Sequence, residues 1–124
     1  MSVIVRDDGF HADDFDGNAV LDLGSDASPD ALPDSFGGVG MIRVSFPAFS
    51  DGRGFTLARH LRGLGYAGRL RATGHVIADQ YAMARRCGFD EVEIADDLAA
   101  RQPEAQWLFR ALWREQDYRS RLTA

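Results

Sequence analysis

From residue 41 onward the apolar positions change rhythm in a regular way. Residues 41–46 alternate, with Ile42, Val44 and Phe46 on one side and Arg43 and Ser45 on the other. That is the period-two pattern of a strand with one buried face. Residues 54–64 then place Phe55, Leu57, Ala58, Leu61 and Leu64 on one half of a helical wheel, and Gly65 and Gly68 follow. This predicts an amphipathic helix with a glycine stop. Alternation returns at 69–73, with Leu70 and Ala72 against Arg69, Arg71 and Thr73. A second helix is predicted over 76–87. It turns Val76, Met83 and Cys87 inward and Asp79 and Arg86 outward, with Gly88 as its C-terminal cap and Phe89 as the apolar residue beyond. A third strand covers 91–94. A last helix starts near Pro103 and carries Trp107, Leu108, Leu112 and Trp113.

The first 40 residues follow a different pattern. Two short runs flank Asp8-Gly9 within residues 3–16, which reads as a β-hairpin. Residues 19–23 form a possible further strand. Residues 24–40, with two prolines and four glycines, read as a loop. The expectation is one α/β domain over residues 1–124. An acidic hairpin and loop region spans 1–40, and strands and helices alternate over 41–124. That alternation implies βαβ units and a parallel sheet of three to four strands.

A parallel sheet covered on both sides has strands that are almost continuously apolar. These strands are not. Helices are therefore expected mainly on one face, as in a fragment of a β/α barrel, with a charged second face. Asp22, Arg43, Arg71 and Glu93 would form an ion-pair ladder across that face.

Charge sharpens this picture. Residues 1–40 hold nine acids and one base, a net of −8, while residues 41–124 carry a net of +3. Within 53–86 there are seven arginines and one acid, a net of +6. Such asymmetry marks either an anionic partner or an acidic segment that solvates the chain or lies against the basic one. Nucleic acid fits poorly, because the whole chain has a net charge of −5. No apolar run approaches the ~20 residues of a membrane span, and residues 1–14 lack a signal-peptide pattern. One cysteine, Cys87, permits no internal disulfide and no cysteine-based metal cluster. A cytoplasmic location is expected.

Ligands of open α/β sheets gather beyond the carboxyl ends of the strands. Loops 47–54, 73–76 and 95–98 bring Asp51, Arg53, Thr73, His75, Asp96 and Asp97 to that edge. Arg53 can grip an oxyanion with two parallel hydrogen bonds, and His75 offers an acid/base group. Each also has a plainer role open to it, Asp51 as a turn or cap residue and His75 as an exposed side chain. Arg59 and Arg62 are neighbours on the first helix, flanking its apolar side. Gln80 lies where a buried amide needs partners. Cys87 sits at a helix C-terminus, the wrong end for a stabilised thiolate, and reads as core. There is no phosphate-loop, dinucleotide or zinc spacing and no catalytic-triad pattern. No cofactor or metal is implied, and no reaction is named by the residues.

Several blocks occur in one order: Phe46-Pro47-Ala48-Phe49-Ser50-Asp51-Gly52-Arg53, Ala58-Arg59-His60-Leu61-Arg62, Gly65-Tyr66-Ala67-Gly68-Arg69-Leu70-Arg71-Ala72-Thr73-Gly74, Asp79-Gln80, and Arg85-Arg86-Cys87-Gly88-Phe89-Asp90. With these blocks the chain resembles the bacterial domain-of-unknown-function family 934. The likeness is dense over residues 42–94 and looser in the hairpin, and the segment from Trp107 to Leu122 departs from the pattern. The family's motif residues fall on Asp51, Arg53, Arg59, Arg62, Arg71, Asp79 and Gln80. The resemblance implies a role in sulfur assimilation, since members are often encoded beside the haemoprotein of assimilatory sulfite reductase. It implies no mechanism. Three readings follow: an accessory protein that binds the haemoprotein or its electron donor, a small oxyanion-binding protein or enzyme, and a homodimer that buries the charged face or the last helix.

Overall fold

The computed structural model describes residues 2–15, 19–28, 32 and 36–111. Its strands are β1 (Ser2–Arg6), β2 (Gly9–His11), β3 (Val20–Gly24), β4 (Met41–Phe46), β5 (Arg69–Gly74) and β6 (Glu91–Ala95). Its helices are α1 (Arg53–Gly63), α2 (Tyr81–Cys87), α3 (Asp96–Arg101) and α4 (Glu104–Arg110). One mixed sheet has the order β2-β1-β6-β5-β4-β3. Its four strands from β3 to β6 are parallel. Strands β1 and β2 add an antiparallel end.

The sheet is thus larger than the three to four strands expected, because the hairpin is part of it. β1 pairs with β6, matching Val3 to Ile94 and Val5 to Val92. Val5 thereby extends the apolar face of the parallel strands, and the open edge of β6 is closed. The hairpin turn itself is Asp7-Asp8, one residue earlier than Asp8-Gly9, and Arg6 faces Gly9. Gly9 has φ +122°, a conformation that favours glycine. Asp7 ties the turn to α2, accepting hydrogen bonds from the Tyr81 hydroxyl at 2.5 Å and from Arg85 Nε at 3.1 Å.

Side chains from Val5, Ile42, Val44, Phe46, Leu70, Ala72, Val92 and Ile94 form one buried cluster with residues of all four helices. α1 contributes Phe55, Leu57, Ala58 and Leu61, as its periodicity predicts, but Leu64, expected on the same face, is the C-cap residue beyond the last turn and is 51% exposed. α2 differs. Residues 78–80 form a 3-10 turn, and the α-helix starts only at Tyr81. The tighter turn rotates the inward face to Tyr81, Ala84 and Cys87, and Met83 is 51% exposed. Gly88 caps the helix in a left-handed conformation, with Phe89 fully buried. The short helix α3 was expected as a loop. Asp96 and Asp97 stand in its first turn, where the helix dipole favours them, and Leu98 is its buried residue. α4 docks through Trp107, which is 1% exposed, donates from Nε1 to Gln102 O at 2.9 Å and meets Tyr81 edge to face. Leu112 and Trp113 lie outside the described residues.

The opposite sheet face carries the charges. Arg43 grips Asp22 through two hydrogen bonds of 2.6 and 2.9 Å. Arg71 donates to Glu93 at 2.8 Å and to Glu91 at 2.6 Å, and to both oxygens of Asp13 at 3.1 Å. The ladder expected from the alternation is therefore present, and a chain segment, residues 12–15, covers part of it. Asp14 of this strap bridges Arg6 and Arg69 at 2.7 and 2.6 Å. Arg69 also lies over the Phe15 ring.

Hydrogen bonds from Arg71 hold the Asp13 carboxyl below its usual range, and those from Arg69 and Arg6 do the same for Asp14. Carboxyls with depressed folded pKa values contribute stability above the unfolded value, about pH 4, and lose it as pH falls through the folded value. The melting temperature is expected to fall as pH drops below about 4, and an Asp13→Asn, Asp14→Asn double variant to show a shallower acid decline. Thermal melts from neutral to acid pH check this. Equal acid slopes for the two proteins contradict the strap pairing.

Candidate functional site

Parallel register brings the carboxyl ends of β3, β4 and β5 together. Ser25 and Asp26 follow β3, residues 47–52 follow β4, and His75 follows β5. They border a cleft of about 500 Å³ lined by Ser25, Asp26, Ser45, Pro47, Arg53 and His75. A second cleft of about 330 Å³ shares Ser25, Asp26 and Arg53 and continues along α1 to Thr56 and His60.

Asp51 is the best-held side chain of the edge. Arg53 meets it with Nε at 3.0 Å and Nη2 at 2.8 Å, and the Arg53 backbone N–H adds a bond of 3.1 Å. Ser25 donates its hydroxyl to the same carboxylate at 2.7 Å. The Arg53 fork, then Ser25, holds the Asp51 carboxyl far below the usual carboxylate range. Asp51 is thus an anion already bound in the place where an incoming oxyanion would sit on Arg53. Such a ligand has to displace it or use Nη1, the guanidinium nitrogen that the Asp51 contacts leave out. Asp26, lining both clefts, adds a further negative charge.

His75 is exposed and sits on the β4 end. Its backbone N–H donates to Phe46 O at 3.0 Å, and Nδ1 is 3.2 Å from the same oxygen. A carbonyl only accepts, so Nδ1 is the donor in this contact. Gly74 makes this seat possible. Its φ is +97°, and a Cβ there would stand 2.8 Å from Phe46 O. Gln80 satisfies its amide at both ends, accepting from Ile77 N–H at 3.0 Å and donating to Phe49 O at 2.7 Å. It ties the loop after β4 to the turn after β5.

The remaining residues singled out in the sequence are elsewhere. Arg62 is a structural clamp. It donates to Gly88 O, Tyr66 O, Gly68 O and Asp90, and so joins the end of α1, the entry to β5 and the cap of α2. Arg71 is fully buried among Asp13, Glu91 and Glu93. Burial alone would lower its pKa, but these three carboxylates outweigh that and raise it. Asp79 is paired with Arg110 at 3.2 Å. Arg59 and Arg86 are exposed on the outer sides of α1 and α2. Only Asp51, Arg53, His75 and Gln80 are thus assembled at one edge. Asp96 and Asp97 open α3 and line neither cleft. Thr73 is half-buried within β5. Ser25 and Asp26 were missed in the sequence because they lie in a segment read only as a connection. The signal was there: a strand at 19–23 parallel to the next delivers whatever follows it to the same edge.

Among the described residues no group of three or more His, Cys, Asp or Glu side chains is placed to hold a metal ion. None of their helices is long and apolar enough to cross a membrane. No curated protein and no solved structure matches the chain. Residues 20–119 match the family described as "Bacterial protein of unknown function (DUF934)". The match runs through Trp107 and α4, so the C-terminal segment belongs to the family pattern, against the departure expected there, while the hairpin lies before it. With its sheet from β3 to β6, all four helices and the whole candidate edge inside the matched residues, this chain belongs to the DUF934 family.

Proposed function

We propose that this protein is a cytoplasmic accessory factor of assimilatory sulfite reduction. In this reading it acts by contacting the sulfite reductase haemoprotein or its electron donor, not by chemistry of its own. The sulfur connection comes from the family resemblance. The observation that carries the mode of action is the closed Asp51–Arg53–Ser25 set. The strongest anion-binding group at the sheet edge is spent on a carboxylate of the same chain. Such a set fixes a loop; it does not leave a reaction centre open.

A deletion strain is expected to grow poorly on sulfate or sulfite and normally on sulfide or cysteine. The purified protein is expected to bind the haemoprotein or the donor in a pull-down with purified components. Normal growth on sulfate together with no binding removes the proposal.

A second reading, an oxyanion-binding protein or small enzyme, draws on Arg53 and His75 lining one cleft. Asp51 and Asp26 weigh against it, since together they leave the cleft without net positive charge. Calorimetric titration with sulfite, sulfate and phosphate separates the two readings. Measurable affinity that is lost in Arg53→Ala favours the second.

A further inference from the structure

α1 and α2 pack side by side. Together they carry five arginines, Arg53, Arg59, Arg62, Arg85 and Arg86, and no Asp or Glu. Carboxylates from elsewhere pair with Arg53, Arg62 and Arg85, namely Asp51, Asp90 and Asp7. Arg59 is exposed, with no hydrogen bond or ion pair among the described residues.

Two clefts meet at Arg59. One, about 240 Å³, runs between the helices and is lined by Phe55, Thr56, Arg59, Met83 and Cys87. The other, about 500 Å³, follows α1 past His60 to Leu64. Met83 and Leu64, each 51% exposed, border these clefts. The surface is therefore a shallow apolar groove with an unspent guanidinium at its centre. Its positive excess stands on a chain with a net charge of −5. An acidic partner is attracted to this face and repelled by the rest of the molecule, so the charge distribution orients the encounter.

We propose that the outer face of α1 and α2 docks a protein that presents an acidic patch around one apolar side chain. The apolar group seats between Phe55 and Met83, and a carboxylate pairs with Arg59. The identity of that partner rests on the accessory-protein reading above.

The test uses the full chain against purified sulfite reductase haemoprotein and, separately, its purified electron donor. The variants are Arg59→Glu, Met83→Asp and, as a control on α3, Arg101→Glu, which is 67% exposed. Thermal melts confirm that all three fold. Arg59→Glu and Met83→Asp are expected to weaken binding by about tenfold or more, Arg101→Glu to leave it unchanged, and wild-type affinity to fall with added salt. Wild-type binding that both variants retain overturns this surface and leaves the accessory-protein reading standing. Wild-type binding to neither protein overturns the docking proposal, and with normal growth of the deletion strain on sulfate it removes the accessory-protein reading as well. Self-association in sedimentation that Arg59→Glu abolishes assigns the face to a second copy. Capture of RNA or DNA oligonucleotides that Arg59→Glu abolishes assigns it to nucleic acid. Either result overturns the acidic-protein partner.

Discussion

Arg71→Ala is expected to lower the stability of this protein by about 3 kcal/mol, measured by denaturant unfolding. The residue has no exposed surface and reaches three carboxylates. Breaking a buried ion pair from one side is costly because the other charge stays behind. The size of the loss depends on what stays behind here. Glu91 is 3% exposed but keeps Arg69 and Arg6 at 3.0 and 3.2 Å. Glu93 and Asp13 lose Arg71 but are 21% and 39% exposed, so water reaches them. These two facts place the cost at the lower end of the ~3–5 kcal/mol seen for breaking buried pairs. Arg71→Met is expected to cost less than Arg71→Ala, since Met keeps the apolar stem while losing the same hydrogen bonds. Equal losses would mean that packing of the stem contributes nothing. A loss under ~0.5 kcal/mol in both would mean a solvated side chain and would contradict the burial.

Trp107→Ala is expected to cost about 3–5 kcal/mol, the range for deleting a buried large aromatic side chain. Trp107 is 1% exposed, and its ring fills the space between α4 and Tyr81. Its Nε1 also satisfies the Gln102 carbonyl at 2.9 Å, just before Pro103 opens the helix. Trp107→Phe keeps much of the packing and drops that hydrogen bond, so a loss of about 1–2 kcal/mol is expected. Phe109 on the same helix is 59% exposed, and Phe109→Ala should fall within ~0.5 kcal/mol of wild type. Unfolding curves for the three variants make the comparison. If Trp107→Ala matched Phe109→Ala, α4 would not be docked through Trp107.

Much of this architecture is a property of neighbouring residues and is therefore legible along the chain. Ile42, Val44 and Phe46 alternate with Arg43 and Ser45 because successive side chains of a strand point to opposite faces. That alone determined which face carries the core, and that Arg43 and Arg71 lie on the other. The spacing of Phe55, Ala58 and Leu61 determined the inward side of α1 in the same way, and Gly88 marked where α2 stops. The 3-10 turn before α2 was not legible. Asp79 and Gln80 suit the first turn of an α-helix equally well, and the choice depends on Gln80 reaching Phe49 O and Ile77 N–H.

What remained was decided by contacts between distant segments. β1 joins β6 although some 90 residues separate Val3 from its partner Ile94. No local period records such a pairing, because its gain lies in apolar area and backbone hydrogen bonds that exist only once both strands are placed. The same holds for the strap. Asp13 and Asp14 read only as acids of the hairpin region until the sheet sets Arg71 and Arg69 beneath them. At the candidate site the sequence by itself brought Asp51, Arg53 and His75 to one edge, through the rule that loops leave parallel strands at their carboxyl ends. Only the tertiary structure decided what Arg53 does there. Parallel pairing of β3 with β4 brings Ser25 onto Asp51, and that carboxylate, held from both sides, takes the fork that a free oxyanion would otherwise use.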